Sequence, residues 1–249
     1  MKTKCVSVII PNYNRANTIL NSVQSILKQT YSNLEVIVID DCSSDESIKI
    51  LETIKDSRFR YYILESNSGA CKARNLGVEL SKGDYIAFND SDDIWLPNKL
   101  EMQLSHLEKN NCDIIFSSFF FNDGYYCNIY PRQKIKSGFI PFKYLIRHSL
   151  ASTQTIVGKS NIIKSLSFDE RLKRFQDWDY ILQAGKKYSL FYINKPLVHV
   201  KLQKNSLSRN NKNGLLSLNV IFNKNRRFFL KDPLSILYFL WKKIRLSIN

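Results

Sequence analysis

The sequence predicts an α/β fold: a mostly parallel central sheet flanked by helices, closed by a C-terminal helical basic tail. Three observations carry this expectation. Over the first hundred residues, short apolar runs rich in β-branched side chains alternate with stretches of helical periodicity. Three of those runs end abruptly in polar and acidic residues. From residue 201 on, eleven Lys and Arg stand against one acidic residue, Asp232, and two amphipathic stretches fill the segment.

The elements follow in order. VSVII (6–10) reads as a buried strand. Ile19, Val23, Ile26 and Leu27 recur at helical spacing, with Asn14 or Asn17 available as cap. LEVIVI (34–39) is a second strand ending at Asp40-Asp41. SSDESIKILETI then reads as a helix capped by Ser43 or Ser44. FRYYIL (59–64) is a third strand, ACKARNLGVEL (70–80) a helix after Gly69, and YIAF (85–88) a fourth strand running into NDSDD. PNKLEMQLSHLEK (97–109) places Pro97 in a helix's first turn. Beyond it, 112–121 reads as a strand, 149–160 as a strand and turn, and 174–188 as a helix striped by Trp178, Ile181 and Leu182. The amphipathic stretches lie around 215–230 and 233–246.

The bulk numbers bound the reading. The chain has 249 residues, 44% hydrophobic, enough for one large domain or one with an appendage. No Pro-, Gly- or Ser-rich linker divides it, so the expected division is a domain over 1–213 and a basic helical extension over 214–249. The apolar stretch near the N-terminus, Cys5 to Ile10, stops at Pro11 and is too short for a leader's apolar region. The five cysteines are odd in number and form no CxxC pair, which suits reduced thiols in a cytosolic protein. Net charge is +15, but residues 1–100 are close to neutral.

In a parallel sheet, ligands sit outside the carboxyl ends of the strands. Those ends carry PNYNR, DDCSSD and NDSDD, and topology alone expects them on one edge. Clustered carboxylates raise one another's pKa and cost stability unless a cation offsets them. Asp90, Asp92 and Asp93 therefore point to a hard divalent cation, Mn²⁺ or Mg²⁺, that shares itself with substrate phosphates. The plainer alternative is a solvated loop with an Asp capping the next helix.

VSVIIPNYNR, VIVIDDCSSDES and NSGACKARNLGVELSKGDYIAFNDSDDIWLPNKL, in that order, resemble the successive signatures of the family 2 glycosyltransferases, nucleotide-sugar-dependent enzymes of the GT-A fold. The resemblance is close over about residues 5–110 and looser to about 205. It implies that Pro11 and Tyr13 line a base pocket and that Asp41 accepts a hydrogen bond from the base's imide nitrogen. It puts Arg74 near the nucleotide, and Asp90, Ser91 and Asp92 on the DxD positions, with Asp92 as metal ligand and Asp90 on ribose or a metal-bound water. FQDWDYILQAGKKY resembles the family's ED-type segment and puts Asp177 on the catalytic base position; the alternative for Asp177 is a helix N-cap. Asp179 reads as a first-turn charge. Gln176 and Gln183 replace the expected Glu and Arg; Lys201 and Gln203 replace the Arg and His of a family R-x-H-x-x-S segment, leaving Lys201, Lys204 and Ser206 to approach a diphosphate.

The implied function is metal-dependent, inverting transfer from a nucleotide-sugar donor, a UDP-sugar, to a saccharide or polyprenyl-linked saccharide acceptor in surface polysaccharide synthesis. The alternatives are an inactive scaffold of this fold and a nucleotidyltransferase, against which PNYNRANT, lacking glycine, argues. The tail's mix of Lys, Arg and large apolar residues suits an anionic membrane interface, and equally a basic face packed on its own domain. No nucleic-acid motif accompanies the charge, so nucleic acid is not an expected partner. The expected location is the cytoplasm, peripheral on the inner face of the plasma membrane, with truncation near residue 213 releasing a soluble form.

Overall fold

The computed structural model describes residues 4–122, 126–132, 135–201 and 211–248. The expected alternation is present at its start: β1 (Val6–Asn12), α1 (Ile19–Leu27), β2 (Leu34–Asp40), α2 (Ser47–Glu52), β3 (Phe59–Ile63), α3 (Ala70–Leu80) and β4 (Tyr85–Phe88). Then come β5 (Ile94–Trp95), α4 (Lys99–Lys109), β6 (Ile114–Asn122), β7 (Cys127–Tyr130), β8 (Gly138–Phe139), α5 (Phe142–Arg147), β9 (Val157–Lys159) and α6 (Ser160–Ile163). The chain ends with α7 (Gln176–Gly185), β10 (Leu190–Lys201), α8 (Asn211–Leu230) and α9 (Pro233–Ile248).

One sheet runs in the order β3-β2-β1-β4-β9-β6-β10-β5, with β7 beside β6 and β8 beside β10. Its first half is parallel, pairing Asn12 with Asp40 at the ends of β1 and β2. The carboxyl ends of β1, β2 and β4 thus share one edge, as their sequences predicted. The second half is mixed: β9 runs antiparallel to both neighbours, whereas β6 and β10 are parallel.

Along β1 and β4 the side chains alternate between two cores. Val8, Ile10 and Ala87 pack with α1 and α4; Ile9, Ile86 and Phe88 pack with α5, α7, α8 and α9. Gly77 of α3 lets that helix lie directly on β1, because a Cβ there would fall 2.3 Å from Ile9 Cγ2.

The tail is part of this body. Leu218, Ile221, Phe229 and Phe239 are buried in the cluster that holds Trp178 and Phe88. Lys224 of α8 reaches the buried carboxylate of Asp179 at 2.6 Å and Asp169 at 3.1 Å, and Arg147 pairs with Asp232 between the two tail helices. The outer face of α9 stays open: Leu234, Leu237, Leu240, Trp241 and Ile244 are between 46% and 61% exposed. Among the described residues, no helix is long and apolar enough to cross a membrane.

Candidate active site

The carboxyl edge is built by side chains that tie its loops together. Asp40 accepts hydrogen bonds from Asn12 Nδ2, the Ser43 amide and Ser43 Oγ, each at 2.7 Å. Asn14, at φ +50°, receives the Ser44 amide on Oδ1 and donates its own amide to Ser43 Oγ, both at 2.8 Å. These bonds correct the expected caps: Asn14, Ser43 and Ser44 knit the first two loops, while α1 and α2 begin at Thr18 and Glu46 without a side-chain cap. Pro11 is buried at the end of β1, and Tyr13 beside it is 44% exposed at the edge. Asp41 is buried and accepts the amides of Ser68 at 2.7 Å and Gly69 at 2.8 Å. Gly69 meets it at φ +93°, a backbone shape suited to glycine. A carboxylate offers about four acceptor positions, so Asp41 retains capacity for a ligand.

The NDSDD turn is fixed from beneath. Asn89 donates to Ser22 Oγ and to the Asp93 carbonyl, and Ser22 Oγ donates to the Asp90 carbonyl at 3.0 Å. Ser91 is buried in the turn. Ile94 and Trp95, which follow, form β5 and pair with His199 and Val198 of β10, so the turn hangs between two strands. Asp90 accepts from Arg74 Nη2 at 2.7 Å, and Arg15 Nε lies 3.5 Å from Asp92. Burial, then the Asp90 charge, raise Asp92 to about 6 against the pull of Arg15. Asp93 is buried and also pushed well up, by desolvation and by both neighbouring carboxylates. The turn thus gathers three carboxylates that resist ionising together without a further cation, and its oxygen donors suit a hard one. Among the described residues no cluster of three or more donors converges on one point. The fit is to a cation held by one or two carboxylates and completed by phosphate and water oxygens, a usual Mg²⁺ arrangement.

Asp177 stands in the first turn of α7, after Phe175 at φ +60°. Such left-handed non-glycine residues gather at functional sites. Asp177 is not an N-cap in the usual sense: its Oδ1 accepts the adjacent Trp178 amide at 2.7 Å. Burial raises its pKa, opposed by that amide and by the charges of Lys242 and Arg74. Asp179 does stand in the first turn, but it is 1% exposed and held by Lys224 and by Gln183 Nε2 at 2.8 Å, a buried anchor for the helix.

Asp90, Asp92, Asp93 and Asp177 line one cavity of about 560 Å³. Arg74 joins its two sides, donating from Nη2 to Asp90 and from Nη1 to Gln176 Oε1 at 2.8 Å. Gln176 therefore does a carboxylate's work at that position with its amide oxygen. Lys201 lines the cavity, and its amide donates to Asp93 at 3.4 Å. Gln203, Lys204 and Ser206 lie outside the described residues.

Sequence reasoning missed several lining residues: Tyr130, Arg132, Arg174, Lys242 and Arg245. Lys242 enters from α9, its Nζ 4.4 Å from the Phe175 ring centroid and 5.1 Å from that of Trp178. Burial lowers its pKa to about 8, with Asp177 pulling the other way. No local motif marks these residues; for Lys242 and Arg245 only their alternation with apolar side chains on α9 was visible.

Known proteins resemble this chain in sequence and in fold. A glucosyltransferase of Escherichia coli, named UDP-Glc:alpha-D-GlcNAc-diphosphoundecaprenol beta-1,3-glucosyltransferase WfgD, is 34% identical over 98% of this chain and 94% of its own. TarS residues 1–349 of S. aureus in complex with UDP-GlcNAc share the fold at TM-score 0.75 and 21% identity, over 87% of this chain and 65% of that one. The mannosyltransferase PcManGT of Pyrobaculum calidifontis, in complex with GDP-Man and Mn²⁺, does so at TM-score 0.70 and 18% identity, over 98% and 73%. The chain spans 29% to 33% of the length of the Rickettsia glycosyltransferases it matches. The family model described as glycosyl transferase family 2 matches residues 7–172, and the chain belongs to that family.

Proposed function

We propose that this chain transfers a sugar from a nucleoside diphosphate donor, a UDP-sugar, to a hydroxyl of a saccharide or lipid-linked saccharide in bacterial surface polysaccharide synthesis. The observation that carries the reading is the shared cavity: the Asp90-Ser91-Asp92 turn and Asp177 face the same 560 Å³ space, bridged by Arg74. A donor requires a base pocket, a diphosphate site and a base facing its anomeric carbon, and candidates for all three lie along one sheet edge.

Pro11 and Tyr13 wall the base pocket, and Asp41 accepts the imide N–H. Asp92, with Asp90, would hold Mn²⁺ or Mg²⁺, which would neutralise the charge on the diphosphate leaving group. Arg74 keeps Asp90 in place to contact the ribose. Asp177 takes the proton of the acceptor hydroxyl as that oxygen attacks the anomeric carbon from the face opposite the diphosphate, which inverts the configuration. Its raised pKa makes it a stronger base than an ordinary carboxylate. The exposed apolar ridge of α9, flanked by Lys243 and Arg245, supports peripheral attachment to an anionic membrane on the cytoplasmic side.

Purified protein incubated with a panel of nucleotide sugars, with and without Mn²⁺, tests the reading by release of nucleoside diphosphate. Metal-dependent release from a UDP-sugar, abolished in Asp92→Asn, is expected. Release that ignores both metal and Asp92 overturns it.

A further inference from the structure

We propose that Lys242 of α9 sets the charge state of Asp177: its ammonium holds the carboxylate ionised, so that the C-terminal helix completes the base of the transfer reaction. The proposal rests on the reading of Asp177 as base and adds the residue that keeps it ready to take a proton. Lys242 is a positioning residue, acting on the substrate only through Asp177.

The inward stripe of α9 carries one charge. Ser235, Phe239, Lys242 and Leu246 recur at helical spacing on one face. Ser235 and Phe239 are buried, and Leu246 packs against the same core. A cation turned toward a core costs stability unless something there compensates it.

That cation is delivered to Asp177. The Tyr238 and Trp178 rings meet edge to face at 5.9 Å, and the Ser149 amide donates to the Tyr238 hydroxyl at 3.4 Å, which fixes α9 over α7. One turn after Tyr238, the Lys242 ammonium lies 4.4 Å from the Phe175 ring centroid and 5.1 Å from that of Trp178. Those two residues bracket Asp177 in the chain, and Asp177 and Lys242 line the same cavity. The rings offset part of the cost of burying the ammonium. The acid that faces it is Asp177, whose Oδ1 takes only the short Trp178 amide contact and keeps acceptor capacity for a substrate hydroxyl.

The surrounding charges leave this task to Lys242. Burial opposes ionisation of Asp177, and the Asp90 charge adds to it. Lys242 and, after it, Arg74 act the other way. Arg74 already donates from Nη2 to Asp90 and from Nη1 to Gln176. Arg174 and Arg245 face Lys242 as like charges. The Tyr130 and Tyr238 hydroxyls also face Asp177; both are raised above the usual tyrosine range and stay neutral wherever the carboxylate titrates. Burial lowers Lys242 to about 8, so it is a cation throughout that range.

The test is the pH dependence of kcat/KM for sugar transfer to a lipid-linked saccharide by wild type, Lys242→Met, Lys242→Gln, Lys242→Arg and Asp177→Asn, with a melting curve for each. A nearby opposite charge lowers a carboxylate's pKa by about one unit or more. Losing the ammonium should therefore move the acidic limb up by about one pH unit, which reads as about tenfold less transfer at a fixed pH on that limb. Lys242→Arg should keep the limb near its wild-type place. Met retains the lysine's bulk over the rings and Gln its polarity, so a folded charge-free variant is available from either. A limb unmoved in a folded charge-free variant overturns the proposal. So does a loss of kcat/KM that is equal at every pH, which would make Lys242 a contact of the acceptor instead. Asp177→Asn should lose the limb together with transfer; if it keeps both, the base reading falls and the proposal with it. A limb abolished by Asp177→Asn but left in place by Lys242→Met and Lys242→Gln sinks the proposal alone.

Discussion

Lys224→Met isolates the contact that makes the tail part of the catalytic body. Lys224 lies on α8, and its ammonium is 2.6 Å from Asp179 and 3.1 Å from Asp169. The Asp179 side chain is 1% exposed and sits two residues past Asp177. Removing one partner of a buried pair costs about 3–5 kcal/mol, because the other charge remains without compensation. Two features place this case at the low end. The lysine is 26% exposed, and Gln183 Nε2 still donates to Asp179 after the substitution. The expected loss is about 3 kcal/mol, which in a domain of this size lowers Tm by about 6–12 °C. Urea unfolding should show a lower midpoint with an unchanged slope. Combining Lys224→Met with Asp179→Asn should recover much of the loss, since the uncompensated charge is then gone. A single-variant loss under about 1 kcal/mol, the range of exposed pairs, would refute the reasoning: it would show that the ion pair contributes little and that α8 is held by the apolar contacts of Leu218, Ile221 and Phe229.

Other consequences follow from the same geometry. Arg74→Met removes the bridge between Asp90 and Gln176 and should lower kcat/KM about 10- to 100-fold, the value of a charged hydrogen bond; steady-state kinetics check this against a melting curve. The pH profile should have an acidic limb. Asp177 acts as base only when deprotonated and its pKa is raised by burial, so kcat falls as pH drops through a value above the ordinary carboxylate range. Gly77→Ala places a Cβ against Ile9 and should cost about 1–3 kcal/mol by urea denaturation. Because α8 and α9 complete the core, truncation near residue 213 would expose it; Leu237→Glu with Leu240→Glu instead tests membrane attachment, with vesicle binding lost and Tm retained.

The first half of the chain was readable because its signals are local. The apolar runs of β1, β2 and β4 end where the strands end, within two residues, and their acidic loops meet by topology alone. Asp177 was singled out by the resemblance of FQDWDYILQAGKKY to the family's ED-type segment, not by periodicity. The second half resisted for identifiable reasons. β10 runs through Lys195-Pro196, which reads as a strand breaker, and the register shifts there show how the sheet absorbs the proline. β5 and β8 are two residues each, too short for periodicity. Asp179 looked like an ordinary first-turn charge because its partner lies 45 residues later. Gln176 and Gln183 looked like losses, yet each has a fitted partner, Arg74 and Asp179. Lys242 and Arg245 reach the cavity only because α9 folds back over α7, a placement that no spacing encodes.

The central claim is that Asp177, facing the Asp90-Ser91-Asp92 turn, is the base for sugar transfer. The direct measurement is transfer to a lipid-linked saccharide by wild type and by Asp177→Asn, with UDP–Mn²⁺ affinity measured on the same preparations. Asp177→Asn should lose about 10²- to 10⁴-fold in transfer rate, with nucleotide affinity retained. Transfer by Asp177→Asn at the wild-type rate would contradict it and move the base elsewhere in the cavity.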